Sequence, residues 1–184
     1  MYGLSMGGHA SGLAVSSRAK RPGGKPLFDY WFDIAGVTDI VQHYRIGRAL
    51  GYPIVAEIEQ DFGGTYEQRP GFYQRQAIVN RAADIKESGL KGVIIVHATD
   101  DLTVLYAQSR RMFDRLREVG VPAQLFTVEP AGAPVGHIGL PVIETGVDRL
   151  AALFKDRALP RCFREFGVDG ATGAITPDPA TVPC

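Results

Sequence analysis

The chain has 184 residues, 22 of them Gly and 12 Pro, so turns are frequent, yet 45% hydrophobic and 22% charged residues suffice for one buried core. That balance excludes a disordered, collagen-like or coiled-coil chain. Twenty basic and twenty acidic residues cancel, which argues against nucleic acid or an acidic membrane surface as a partner. No apolar run approaches the roughly 20 residues of a membrane span. Residues 1–9 also lack the basic and apolar regions of a signal peptide.

Hydrophobic periodicity divides the chain into strands and helices. Gly8–Lys20 is predicted as a helix, Leu27–Ala35 as an aromatic and apolar strand stopped by Gly36, and Thr38–Leu50 as a second helix. Ile54–Gly71 has no firm period and is read as a lid or long loop. Tyr73–Ser88 follows as a helix, then the β-branched run Gly92–His97 as a strand buried on both faces. Leu105, Met112, Phe113, Leu116 and Val119 recur at helical spacing, with Arg110, Arg111, Asp114, Arg115 and Arg117 on the other face. They lead to a third strand, Ala123–Val128. Strand, helix and strand make a right-handed βαβ unit, so the fold class is α/β with a parallel sheet. A last helix, Pro141–Asp156, opens with Pro in its first turn. The expected division is one core over residues 1–159 and an irregular Pro/Gly-rich tail over 160–184.

Both cysteines, Cys162 and Cys184, fall in that tail. A disulfide there would close a loop worth roughly 3 kcal/mol in the chain-entropy model and imply a secreted or periplasmic protein. Two free thiols would fit the cytoplasm.

The sharpest chemical signal is Gly3-Leu4-Ser5-Met6-Gly7, followed by Gly8, which fits G-x-S-x-G. Such a serine sits on an abrupt turn from strand into helix with its hydroxyl exposed, and the glycines are expected because side chains at their positions would collide. The helix after the turn aims free amides and its positive dipole end at the place where an oxyanion would form. A small-residue turn that only caps a helix would leave the same pattern. A nucleophilic serine needs a base, and the base needs an orienting carboxylate. Asp100 and Asp101 follow the strand Gly92–His97, at the end where ligands collect in parallel sheets, although one of the pair is expected to cap the next helix. Pro134-Val135-Gly136-His137 then places a histidine in a glycine-flanked loop. Alone it would read as a solvated side chain; Ser, Asp and His in this order, each beyond a strand end, form a constellation.

The other histidines read more plainly. His9 is expected to serve helix packing, His43 has no ligand partner at metal spacing, and His97 is expected to order the acid loop by hydrogen bonding. Phe28, Tyr30, Trp31 and Phe32 are expected in the core, and Phe62, Tyr66, Phe72 and Tyr73 in a pocket wall. No H-E-x-x-H or C-x-x-C pattern occurs, and neither a metal nor an organic cofactor is expected.

These residues resemble the α/β-hydrolase superfamily, in particular its dienelactone-hydrolase-like esterases and prolyl-oligopeptidase-type catalytic domains. The resemblance runs from Tyr2 to about Lys155. It is carried by the GLSMGG elbow, by His97-Ala98-Thr99-Asp100-Asp101-Leu102-Thr103-Val104 against the superfamily's H-G-x-x-D-x-x-V, and by Gly136-His137. It implies Ser5 as nucleophile, His137 as general base and the Met6 backbone N–H as one oxyanion donor. It selects Asp101 over Asp100 as the acid, which in that loop stands four residues after His and three before Val. Ala98 departs from the usual Gly.

A larger departure is that only four residues precede Ser5. The strands that come before the elbow in that superfamily, and the second oxyanion donor, have no counterpart. The expected fold is thus an α/β-hydrolase truncated before its elbow, with the elbow strand at a bare sheet edge. The resemblance implies a serine hydrolase that cleaves carboxylic esters through an acyl-enzyme, an ester being preferred because an alcohol leaves more readily. The alternatives are a prolyl-oligopeptidase-type peptidase and a silent half-fold that needs a partner chain. A small ester or peptide substrate is the expected partner, joined by a second copy in a homodimer if the chain is complete.

Overall fold

In the computed structural model, residues 1–156, 162–179 and 181 are described. Among them, one sheet holds β1 (Tyr2–Leu4), β2 (Tyr30–Ile34), β3 (Gly92–Ala98), β4 (Ala123–Glu129), β5 (Arg164–Asp169) and β6 (Ile175–Thr176), side by side in that order. The first five run parallel, and β6 turns back antiparallel on β5. The connections carry α1 (Met6–Val15), α2 (Ile40–Leu50), α3 (Ile54–Phe62), α4 (Pro70–Gln76), α5 (Ala82–Ser88), α6 (Tyr106–Val119) and α7 (Leu140–Asp156). This is the α/β-hydrolase type of arrangement, a mostly parallel sheet with helices on both faces.

Alternation along the strands decides which layer each side chain joins. Trp31, Val93, Ile95 and Leu125 face one way, onto Val15 of α1, Tyr44 of α2 and Met112, Phe113 and Leu116 of α6. Phe32, Ile94, Val96 and Phe126 face the other way, onto Val142, Leu150 and Leu153 of α7. Every residue of β3 is buried, as expected for a strand covered on both faces. Among the described residues, no helix is long and apolar enough to cross a membrane.

Several segments differ from the sequence expectation for identifiable reasons. Ile54–Phe62, expected within a lid or loop, is helix α3: Ile54, Ile58 and Phe62 share one face at a spacing of four, and Ile58 is buried against the core. The single helix expected over Tyr73–Ser88 breaks at Ala77, whose extended backbone (ψ 114°) separates α4 from a 3-10 turn at Ile78–Arg81 and from α5. The tail is not irregular throughout. Arg164–Asp169 adds β5 to the sheet, with Phe166 and Val168 alternating inward and Phe166 stacked on Phe126 at 4.6 Å between ring centroids. The four aromatics expected in a pocket wall cluster on one another instead. Tyr73 is buried, with edge-on contacts to Tyr44, Phe62 and Tyr66, and burial pushes its hydroxyl up to about 12. The proposed Cys162–Cys184 pairing involves Cys184, which lies outside the described residues.

Asp33 is the unusual member of the core. It sits on β2 facing the α1 layer, with 0% exposure, and neither carboxyl oxygen has a hydrogen-bond partner. Its carboxyl group packs against the backbone of Gly8 and Gly36, where an added Cβ would lie 2.4 and 1.8 Å from Oδ1. Burial without a partner pushes its pKa from 3.8 up to about 7. The native state therefore keeps a proton that the unfolded chain releases near pH 4. Asp33's contribution to stability is fully present below pH 4 and is lost as pH rises to about 7, at most roughly 4 kcal/mol in all. Between pH 5 and pH 7 the wild type is expected to lose roughly 2 to 3 kcal/mol of unfolding free energy relative to Asp33→Asn. Urea titrations at the two pH values check this, and parallel pH dependences in the two proteins would refute it.

Candidate active site

The parallel register brings the carboxyl ends of the strands level. Leu4 pairs with Ile34, Ile34 with Val96, and Val96 with Phe126, so Ser5 and the loops after β3 and β4 open at one end of the sheet. Ser5 turns the chain from β1 into α1 with φ 52° and ψ −123°, a conformation rarely adopted by a residue with a side chain. Its N–H donates to the Ile34 carbonyl at 3.0 Å. Its own carbonyl accepts from Gly8 at 2.9 Å and from His9 and Val37 at 3.3 Å. These bonds hold a turn whose strain is of order 1–3 kcal/mol.

The glycine pattern is only partly what the sequence implied. A Cβ at Gly3 would lie 2.1 Å from the Gly7 carbonyl oxygen, and one at Gly8 would lie 2.6 Å from Gly36 Cα. A Cβ at Gly7 would meet nothing within 4 Å. The close approach after the serine thus belongs to Gly8, one residue beyond the G-x-S-x-G pattern.

From Ser5 a chain of hydrogen bonds runs into the protein. Ser5 Oγ lies 2.7 Å from His137 Nε2, and His137 Nδ1 lies 2.7 Å from Asp101 Oδ2. A carboxylate can only accept, so Nδ1 carries the proton and Nε2 is left to accept from the serine hydroxyl. Asp101 Oδ2 accepts a second bond from His97 Nε2 at 2.9 Å, and Oδ1 accepts from the N–H groups of Thr103 at 2.8 Å and Val104 at 2.9 Å. Burial pushes the Asp101 carboxyl up, but the bonds from His137, His97 and Val104 together outweigh it and hold the group well below the usual carboxylate range.

His97 is held in turn. Its Nε2–H is shared with the Val104 carbonyl at 2.8 Å, which leaves Nδ1 to accept from Ser109 Oγ at 2.6 Å, on α6. The spacing His97-x-x-x-Asp101-x-x-Val104 is therefore a closed hydrogen-bonded loop. Ala98 has no positive φ, so its methyl group is unstrained where the resembled loop has Gly. Neither aspartate caps α6, which begins at Tyr106 after Leu105; Asp101 is occupied by the turn before it.

Ser5, Asp101 and His137 thus meet, as do His97 and the acid loop. His9 reaches the end of α4 instead, with Nε2 at 2.9 Å from the Gln76 carbonyl. The Met6 N–H, at the start of α1, has no hydrogen-bond acceptor among the described residues. Two participants were not foreseen. Ser109 orients His97, and buried His43 on α2 lies within electrostatic reach of the site: burial lowers its pKa, and His137 lowers it further. Neither has a sequence signal of its own. Among the described residues, no group of three or more His, Cys, Asp or Glu side chains could hold a metal ion.

Residues 1–140 match the prolyl oligopeptidase family. No curated protein sequence matches the chain. Among solved structures, a puromycin hydrolase superposes with a TM-score of 0.58 at 18% identity, over 84% of this chain and 22% of its own. An acylaminoacyl peptidase in complex with Z-Gly-Gly-Phe-chloromethyl ketone gives 0.61 at 14%, over 84% and 23%. The acylaminoacyl peptidase of Pyrococcus horikoshii gives 0.60 at 16%, over 86% and 23%. Identities this low show a shared fold, and the chain spans less than a quarter of each of these proteins.

The steric difference between the elbow glycines is directly testable. Gly3→Ala is expected to destabilise the protein by at least about 1–3 kcal/mol, because its new methyl group meets backbone rather than a movable side chain. Gly7→Ala, in open space on a helix, is expected to leave stability unchanged or raise it by up to about 1 kcal/mol. Denaturant unfolding of both variants decides the point, and equal losses would contradict the geometry.

Proposed function

The chain belongs to the prolyl oligopeptidase family, and on that premise we propose that it supplies the nucleophile, base and acid of a serine hydrolase that cleaves amide bonds of small peptides by acyl transfer. The observation that carries this reading is the unbroken relay from Ser5 Oγ through His137 to Asp101, two contacts of 2.7 Å between residues far apart in the chain.

In the first half-reaction Ser5 Oγ attacks the scissile carbonyl carbon while its proton passes to His137 Nε2. Asp101, ionised and fully hydrogen-bonded, stabilises the imidazolium through Nδ1–H. The Met6 N–H donates to the developing oxyanion. Collapse of the tetrahedral intermediate expels the amine, which takes the proton from Nε2, and leaves Ser5 acylated. Water then repeats the sequence with His137 as its base, releasing the acid and restoring the serine. The ester preference drawn from the sequence rested on the easier departure of an alcohol and on the unmatched second oxyanion donor. The family, and the names of the puromycin hydrolase and acylaminoacyl peptidase that share the fold, favour an amide.

Labelling with a fluorophosphonate probe and turnover of a peptide p-nitroanilide test the reading. Ser5→Ala is expected to abolish labelling and lower turnover on the order of a million-fold, because nucleophile and base act as a unit. Asp101→Asn is expected to cost on the order of ten thousand-fold by favouring the wrong imidazole tautomer. A Ser5→Ala protein that keeps a tenth of the wild-type rate would sink the assignment. Turnover of a p-nitrophenyl ester without turnover of any anilide would move the substrate class back to esters.

A further inference from the structure

The acid loop holds a second carboxylate whose place the relay does not explain. Asp100 accepts two backbone hydrogen bonds from the loop that bears His137: Val135 N–H to Oδ2 at 2.8 Å and Gly136 N–H to Oδ1 at 3.1 Å. Successive N–H groups turned onto one anion form a concave nest, and the positive φ of Gly136 (69°) is the kind of backbone that allows it. Residues 130–138, between β4 and α7, belong to no strand or helix and carry only a turn at His137–Ile138. The two residues just before His137 are thus tied to the acid loop through Asp100, while the His137 side chain is tied to Asp101 and Ser5.

We infer that Asp100 is a positioning residue: its carboxylate clamps the loop at Val135 and Gly136 and so sets the imidazole of His137 within reach of Ser5. Adjacent aspartates then divide one task. Asp101 fixes the orientation of the ring, and Asp100 fixes the place of the backbone that carries it. Hydrogen bonds between a charged acceptor and backbone amides are among the stronger ones available for this purpose. The need is geometric, since a misplacement of about 1 Å in a catalytic group costs about a hundredfold in rate.

The inference rests on the functional reading above only for its kinetic arm. In an active enzyme, Asp100→Ala is expected to lower kcat about a hundredfold with KM little changed, because the clamp acts on the base and not on the substrate. Asp100→Asn, which keeps one acceptor oxygen, is expected to fall between the two. The second arm needs no activity. In proton NMR spectra the hydrogen-bonded Nδ1–H of His137 is expected as a low-field signal in the wild type and to be lost to solvent exchange in Asp100→Ala. The Nε2–H of His97, fully buried on the other side of Asp101, is expected to persist and so report an intact fold.

If the wild type neither labels nor turns over, the functional reading fails and the His137 signal alone decides the clamp. Should Asp100→Ala not fold, faster exchange of the His137 proton in Asp100→Asn than in the wild type supports the clamp. Overturning results are a His137 signal that exchanges as in the wild type, or an active Asp100→Ala enzyme whose kcat stays within about twofold.

Discussion

Four N–H groups converge on one buried carboxylate at the end of β3. Two come from its own turn, at Thr103 and Val104, one from the ring of His97 on the strand, and one from the ring of His137, 36 residues later. Taking a carboxylate out of water costs several kcal/mol unless its acceptor positions are filled, and here they are. The strand end, the turn and the His137 loop are consequently not independent. Displacing any one leaves Asp101 partly unsatisfied in a low-dielectric surrounding, where an incomplete network is worse than none.

The elbow imposes the complementary constraint. Ser5 holds a strained backbone only because β1 is paired in register with β2 and because Gly3 and Gly8 permit α1 to pack closely on the strand ends. Its carbonyl is used three times, by Gly8, His9 and Val37. The Val37 bond ties the serine to the segment that follows β2. Position of Ser5 is thus a property of the first two strands and α1, while position of His137 belongs to β3, β4 and their loops. The level register of the sheet makes the two halves meet at 2.7 Å.

What could be read from the sequence follows from the range of the interactions involved. Strands β3 and β4 and helix α6 were legible because each has a strong period within one element, and the loop from His97 to Val104 because its motif spacing reflects local closure. Helix α3 was missed because its apolar positions are few and the aromatic cluster around Tyr73 that stabilises the α2–α4 region forms only in three dimensions. Strand β5 was hidden by the glycines and prolines around it, since its only signal is Phe166 and Val168 two residues apart. The task of Asp100 was illegible for the same reason as that of Ser109. Each is a contact between segments that sequence distance does not predict, 35 residues for Asp100 with Val135.

Asp33 and Asp101 show how partners, rather than burial, set charge in this fold. Both side chains are removed from solvent. Asp101 is surrounded by donors and stays ionised far into acid, in contact with the ring of His137. Asp33 has no donor within reach and holds its proton to about pH 7, which keeps the layer between β2 and α1 uncharged where Gly8 and Gly36 pack against it. Two acids thus lie at different depths of one sheet. The one at the carboxyl end supplies the negative charge of the relay, and the one under the elbow remains neutral over the acidic range, so it places no competing charge beneath Ser5 and the start of α1. Above about pH 7 that separation weakens, because an ionised Asp33 would pull against the packing of the helix that follows Ser5.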